Sequence, residues 1–407
     1  MAIRSLILTF LILFSAASAN AETSDAKNFD MYVQRLAEHP QVTQILEQGT
    51  RFKELSDGEM GLPDPNIILG VDNLPVNDPA FDQFLPSSKV IGFKQQIPSY
   101  SLRKAKSERQ EELSAKQQLI ADYTMQRLKA MLTSMLASLD KVKQQEAYAK
   151  KQLEHYKSLE EYFKGRLESG SGVYWRFSEV DVERSLVESK LNDLKAERDD
   201  IEAELVRLVG EVPAIPLPNI PQVTWDSTAE SVYPVLIAKE DIDIADKDVD
   251  AADAAFGPDY GVQAIYKQRE SGANFRGDDW FSVQATISIP LWYEWNQKPK
   301  LRAAEASKRS AENAYDDTGR MWKRKLDALA SKRDATLDNV MVFVEKDKAL
   351  DEMVAAAERT YEAGETNLDT VLDAQINQLT IKSQLAEKRA QHLMLAAEFN
   401  SHIIGDK

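Results

Sequence analysis

The sequence predicts a mainly α-helical chain of long hairpins with a small transmembrane β part, built from one unit used twice. Three observations predict it. Five landmarks recur, Pro40 and Pro234, Pro65 and Pro258, Pro98 and Pro290, Gly170 and Gly364, Gly210 and Gly405, each pair 192 to 195 residues apart. Residues 99–164 contain no Gly or Pro. Residues 281–289 alternate strictly between apolar and small polar side chains, with aromatic residues bracketing the run. A repeat this long is one structural unit placed twice, not a solenoid array, whose units are far shorter.

The chain divides into a leader at 1–21, a first repeat at 22–218 and a second at 219–407. The leader has a basic start at Arg4, an apolar run from Leu6 to Phe14 and an Ala19-Asn20-Ala21 cleavage site before Glu22, the pattern of a secretory signal peptide. Its apolar run is too short to span a bilayer.

In the first repeat the elements follow in order. A stub helix is expected at 29–56, then strands at 67–74 and 90–97. Beyond Pro98 the uninterrupted run is rich in Lys, Glu, Gln, Ala and Leu, all good helix formers. As one helix it would be roughly 100 Å long, so it belongs to an elongated bundle or coiled coil. A turn carrying Gly170 and Gly172 ends it, and a return helix follows at 173–209. There Val187, Leu191, Leu194, Ile201, Leu205 and Leu208 alternate four and three apart, with Arg198 in the one gap, a coiled-coil seam.

The second repeat gives a stub at 230–256, strands at 260–268 and 281–289, a long helix at 300–363, a turn at Gly364 and a return helix at 365–404. The strands of the two repeats, at about 66–98 and 259–290, form the β part.

The best strand puts Phe281, Val283, Ala285, Ile287 and Ile289 on one face and Ser282, Gln284, Thr286 and Ser288 on the other, the period of a pleated strand. A half-buried sheet in a soluble domain would read the same way. The aromatic brackets favour the membrane. Trp280 and Phe281 stand at one end and Trp292, Tyr293 and Trp295 at the other. Roughly 12 residues of extended chain cover about 40 Å, which at about 45° of tilt matches a bilayer core with its aromatic girdles. Four strands cannot close a barrel, and an open edge in lipid leaves backbone groups unpaired. Several copies must therefore share one barrel. Three copies give twelve strands, although this reasoning does not itself select three.

Composition narrows the function. The chain has no Cys, so it has no disulfide, no lipid-modified cysteine, no thiol nucleophile and no Cys-based metal site. A net charge of −16 argues against nucleic acid or anionic lipid as a partner. The four His, at 39, 155, 392 and 402, are scattered, and no enzyme, metal or cofactor constellation stands out. Met131 and Met135 lie one helical turn apart, a spacing that fits packing better than a soft-metal step.

Leu62-Pro63-Asp64-Pro65-Asn66, Asn73-Leu74-Pro75 and Gln95-Gln96-Ile97-Pro98 resemble the first hairpin of the heavy-metal branch of the TolC family of outer-membrane efflux proteins. Ala203-Glu204-Leu205, Leu208-Val209-Gly210 and Leu217-Pro218 resemble that family's end-of-repeat signature. Pro258-Asp259-Tyr260 and Ser288-Ile289-Pro290-Leu291 bound the second hairpin in the family manner, and Tyr361-Glu362-Ala363-Gly364 with Val371-Leu372-Asp373-Ala374-Gln375 resembles the second helical tip. The resemblance spans almost the whole mature chain and implies a homotrimer, with a twelve-stranded barrel in outer-membrane lipid and a periplasmic α-helical barrel. It implies the exit duct of a tripartite exporter fed by a periplasmic adaptor (a membrane fusion protein) and an inner-membrane pump of RND type, with metal cations as cargo; many of that branch are lipoproteins, whereas this chain has no Cys to acylate. A drug or type I peptide exporter would use the same duct, and a soluble periplasmic coiled-coil adaptor also carries long hairpins. The sequence departs from the branch where Ser99-Tyr100-Ser101 replaces its usual Gly-Lys, and where Thr370 replaces the first tip acid.

The candidate sites are the tips. Asp369 and Asp373 lie four apart on one helix face. They fit a carboxylate ring at the periplasmic gate and equally fit acids stabilised at a helix start. Tyr174, Trp175 and Phe177 fit an adaptor-docking patch beside the Gly170, Gly172 and Gly364 turns. Trp280, Phe281, Trp292, Tyr293 and Trp295 are the membrane-interface aromatics.

Overall fold

The computed structural model of the chain describes residues 22–170 and 172–404. The leader at 1–21 and the landmark Gly405 lie outside them. The elements run α1 (Glu22–Ala37), α2 (Pro40–Met60), β1 (Asn66–Asp72), β2 (Ser88–Ile97), α3 (Tyr100–Glu168), α4 (Tyr174–Val209), then α5 (Tyr233–Ala254), β3 (Asp259–Gln268), β4 (Trp280–Ser288), α6 (Gln297–Glu362) and α7 (Leu368–His402). The order of stub, two strands, long helix and return helix occurs twice.

One expectation is corrected. The first stub is two helices, not one. Proline disfavours helical backbone in the residue before it, and His39 is accordingly extended at φ −62°, ψ 137°. Pro40 then opens α2, where its missing N–H costs nothing, and His39 Nδ1 accepts the Gln41 N–H at 3.3 Å.

The chain forms two compact units. The first, a helical unit, holds the segment ending at Ala37, Leu132–Pro221 and Asp347–Ala390. Its core gathers Leu159, Phe163, Val180, Leu372 and Ile376 from α3, α4 and α7. Two buried amides fix the register of α3 on α7. Gln145 Nε2 donates to Ser383 O at 3.2 Å, and Gln152 Nε2 to Ile376 O at 3.2 Å and Thr380 Oγ1 at 2.8 Å. These positions are seven apart on both helices, the repeat of a coiled coil. Arg198, the gap in the α4 seam, forks onto buried Glu146 of α3 at 2.9 and 2.8 Å. Tyr32 and Arg35 of α1 both bond Glu211, just beyond α4, at 3.1 and 2.7 Å.

The second, a sheet unit, holds Glu38–Met131, Gln222–Lys346 and Gln391–Lys407. Its helical core centres on Val232, Val235, Trp322, Leu326 and Phe399. The four strands form one antiparallel sheet in the order β1-β2-β3-β4, leaving β1 and β4 as edges. Among the described residues no helix is long and apolar enough to cross a membrane.

Candidate functional site

The sheet pairs its rows by side-chain type. Ile67 lies opposite Phe93, Phe93 opposite Ala264, and Ala264 opposite Val283. The next row is Leu69, Ile91, Tyr266 and Phe281, and on the other side Val262 faces Ala285 and Tyr260 faces Ile287. Directly paired residues share a face, so four successive rows of this face, down to Ile97, Tyr260 and Ile287, are apolar but for Gln95, while the end row of Val71, Lys89 and Gln268 is mixed. The face is also uncovered. Leu69 is 74% exposed, Phe281 69% and Val283 63%. Gln95, within the apolar rows, donates its amide to Pro63 O at 2.7 Å and Gln96 O at 2.8 Å. The opposite, more polar face carries Lys94, Gln263 and Gln284 in one row and Gln96, Gly261 and Thr286 in another, beside mixed rows of Ile68, Gly92, Ile265 and Ser282 and of Gly70, Val90, Lys267 and Trp280.

The aromatics divide accordingly. Phe281 belongs to the apolar face, with Tyr266 beside it, and Tyr260 marks the other end of that face. Trp280 does not belong to it. It pairs with Lys267 on the polar face, and the Arg269 guanidinium stacks 4.0 Å over its ring. Trp292 and Trp295 point outward, 69% and 78% exposed. Tyr293 turns away from them, against Phe256 at 6.2 Å, with Lys298 over its ring at 5.4 Å. Of the five aromatics expected at a membrane interface, all are exposed; Phe281 lies on the apolar face, Trp280 on the opposite face under Arg269, and Tyr293 packs partly against Phe256.

In the helical unit two turns reverse the chain. Gly170 and Gly364 have φ of 85° and 73°, the left-handed region that costs a side chain energy. At the second turn Gly364 N–H donates to Tyr361 O at 2.9 Å and Glu365 N–H to Thr360 O at 2.9 Å, a Schellman closure. Gly172 is exposed and does not have positive φ.

Tyr174 and Trp175 are 71% and 69% exposed at the start of α4. Phe177 is half-buried against the Leu159 and Phe163 core, so the expected aromatic trio is a pair on a packed base. Between them lies Arg176. Its Nη2 bonds Asp373, and its Nη1 bonds Glu179 at 2.7 Å. Burial raises the pKa of Asp373 above the ordinary carboxylate range, with Asp369 and Glu179 adding to the rise and Arg176 opposing it. Asp369 stands in the first turn of α7, and its Oδ1 is shielded from solvent without a hydrogen-bond partner. Tyr156 nearby is pushed up to about 12 by burial and by the charges of Glu183 and Asp373.

Residues 235–397 match the family model described as Outer membrane efflux protein. No curated protein sequence matches the chain. Among solved structures it is similar to the outer membrane protein VceC from Vibrio cholerae, with a TM-score of 0.72 at 15% identity over 95% of this chain and 100% of that chain. It is similar to CusC, with a TM-score of 0.74 at 13% identity over 94% and 92%. It is also similar to the open state of the MtrE outer membrane channel of Neisseria gonorrhoeae, with a TM-score of 0.75 at 12% identity over 92% and 88%. The chain has the fold of the TolC-family outer membrane efflux proteins.

Within that TolC fold, Arg176 and Glu179 are the tip residues that sequence reasoning missed. Arg176 sits in the flagged aromatic stretch, but its partner Asp373 is 197 residues away, and no local periodicity links them. The histidines stay outside the tips. His402 is buried in the sheet unit, its Nδ1 2.8 Å from Tyr123 Oη and its ring 4.7 Å from Trp322. Burial, with Lys325 and Arg127 adding, lowers its pKa to about 4, which keeps it neutral as packing. Among the described residues no group of three or more His, Asp or Glu is placed to hold a metal ion.

Proposed function

We propose that this chain is the outer-membrane exit duct of a tripartite exporter, working as a homotrimer. The observation that carries this reading is the sheet, with four successive, largely apolar and exposed rows on one face and open at both edges. Each unpaired backbone group in lipid costs several kcal/mol, so β1 of one copy pairs with β4 of the next. The smallest transmembrane barrels have about eight strands, and three copies supply twelve. The polar face then lines the lumen.

The duct is passive and carries out no reaction of its own. A periplasmic adaptor docks on Tyr174 and Trp175, and an inner-membrane pump, of RND type, supplies substrate and energy. The cargo is cationic, with metal ions as the leading class. Three carboxylates, Asp369, Asp373 and Glu179, surround the single Arg176 guanidinium, and an excess of acid at a pore mouth favours cations. A second reading has its own support. Asp369 lies in the first turn of α7, where an acid is worth roughly 0.3–1 kcal/mol to the helix alone.

One preparation tests both layers. The protein is expected in outer-membrane fractions as a heat-modifiable trimer starting at Glu22. In a planar bilayer it should show a small, cation-selective resting conductance, weakened in selectivity by Asp369→Ala with Asp373→Ala. A soluble periplasmic monomer would contradict the duct. Unchanged selectivity in the double variant would contradict the cargo and leave these acids to the helix.

A further inference from the structure

The two longest helices begin against their own electrostatics. A helix N-terminus carries partial positive charge, which favours acids and disfavours bases. Neither α3 nor α6 has an acid in its first turn. Instead α3 opens with Arg103, Lys104 and Lys106, and α6 with Lys298, Lys300 and Arg302. In a chain of net charge −16, helix stability does not account for these residues. Both helix starts follow strands β2 and β4, at the end of the sheet opposite the β1–β2 and β3–β4 connections.

Half of these charges are already engaged. Arg103 donates to Met60 O, Lys104 lies 3.4 Å from Glu108, and Lys298 lies 2.6 Å from Glu294. Lys106, Lys300 and Arg302 are exposed and make no ion pair or hydrogen bond among the described residues.

The second repeat adds a turn that the first lacks. Two residues separate β2 from α3, whereas residues 289–296 separate β4 from α6. Leu291 N–H closes this turn on Ile289 O at 2.8 Å, and the Trp295 and Asn296 N–H groups both reach Trp292 O at 3.1 Å. The Trp292 and Trp295 rings are held 6.0 Å apart, with Leu291 exposed beside them. Indole rings next to free Lys and Arg suit the boundary of a bilayer, with the rings in the glycerol region and the cations at the phosphates.

We infer that Leu291, Trp292 and Trp295, with Lys106, Lys300 and Arg302, form a binding rim for anionic phospholipid headgroups that fixes how deep the barrel sits. This rests on the barrel reading proposed above. Phospholipid is the partner, not free phosphate, because Lys300 and Arg302 follow the exposed Leu291, Trp292 and Trp295 within a few residues of chain, and a small anion would leave those apolar groups uncovered. These unpaired cations are a local exception to the chain's net negative charge, which by itself argues against anionic lipid.

The test uses the purified full-length protein reconstituted in vesicles. Tryptophan fluorescence is quenched with brominated phosphatidylglycerol or brominated phosphatidylcholine. Wild type should prefer phosphatidylglycerol, by about fivefold for each basic side chain that reaches the headgroups, and 0.5 M salt should shrink the preference. Lys300→Glu with Arg302→Glu should abolish it while total quenching stays. Lys300→Gln with Arg302→Gln, a milder change at the same exposed positions, should reduce it. Equal quenching by both lipids in wild type, or a preference untouched in both variants, would overturn the rim and spare the barrel. Absence of quenching by either lipid would overturn the barrel reading itself.

Discussion

The sheet and the helix tips both leave apolar side chains uncovered, but in different ways. The sheet exposes a broad face, with successive rows of Ile, Leu, Val, Phe and Tyr interrupted only by Gln95, down to the mixed end row of Val71, Lys89 and Gln268. At the tip, Tyr174 and Trp175 alone stand out from a closed core in which Phe163 is 1% and Leu159 0% exposed. Soluble surfaces rarely carry apolar patches beyond a few hundred Å². A broad face therefore needs a continuous apolar solvent, whereas two aromatics on a rigid base suit one discrete partner. In the proposed duct, the sheet would place it in the membrane and the tip pair would join it to the adaptor.

The largest expected effect breaks the sheet side of this contrast. Val283 lies in the middle row of the apolar face, and Gln284 is its neighbour on the polar face. Val283→Arg should cost about 2–4 kcal/mol of barrel stability, the scale of an Arg at the bilayer midplane. Gln284→Arg should assemble nearly normally. Trimer yield on unheated gels reads both, and equal defects would mean that the two faces meet the same solvent.

Arg176→Ala should have an intermediate effect, and its pH dependence sharpens the tip side. The loss is about 1 kcal/mol at neutral pH, the scale of a partly exposed ion pair. The Asp373 pKa is raised in the folded tip. Its carboxyl therefore takes up a proton earlier in the folded state than in the unfolded one, and acid stabilises this group. Without Arg176 the three acids lack their counter-charge. The defect should be greatest at pH 7 and fade as the pH approaches about 4, where carboxylates protonate. Thermal melting across that range measures it, and a pH-independent defect would remove the carboxylates from the account.

Tyr174→Ser with Trp175→Ser should have the smallest effect on stability, within about 0.5 kcal/mol for exposed positions, while export in cells is lost. Normal export by an intact double variant would end the docking proposal.

The sequence disclosed what local repetition encodes. The Gly- and Pro-free run at 99–164 became most of α3, the 300–363 run, broken only by Gly319, became most of α6, and the alternation at 281–289 became β4, because helix and strand periods are written in consecutive residues. The period-two strand also makes legible that Trp280 and its neighbour Phe281 point to opposite faces. The break at Pro40 was likewise available from the extended backbone that a following proline imposes. The burial of Phe177, the turning of Tyr293 onto Phe256 and the pairing of Arg176 with Asp373 were not legible. Each depends on a contact between elements distant in the chain, and no spacing within one element reports it.

The central claim is that one face of the sheet meets lipid and the other meets water. Because the chain contains no Cys, single cysteines placed along β4 give a clean reading in outer-membrane vesicles. Ser282→Cys, Gln284→Cys and Thr286→Cys should react with a water-soluble maleimide, and Phe281→Cys, Val283→Cys, Ala285→Cys and Ile287→Cys should not until detergent is added. Uniform labelling along the strand, or the opposite alternation, would contradict the account.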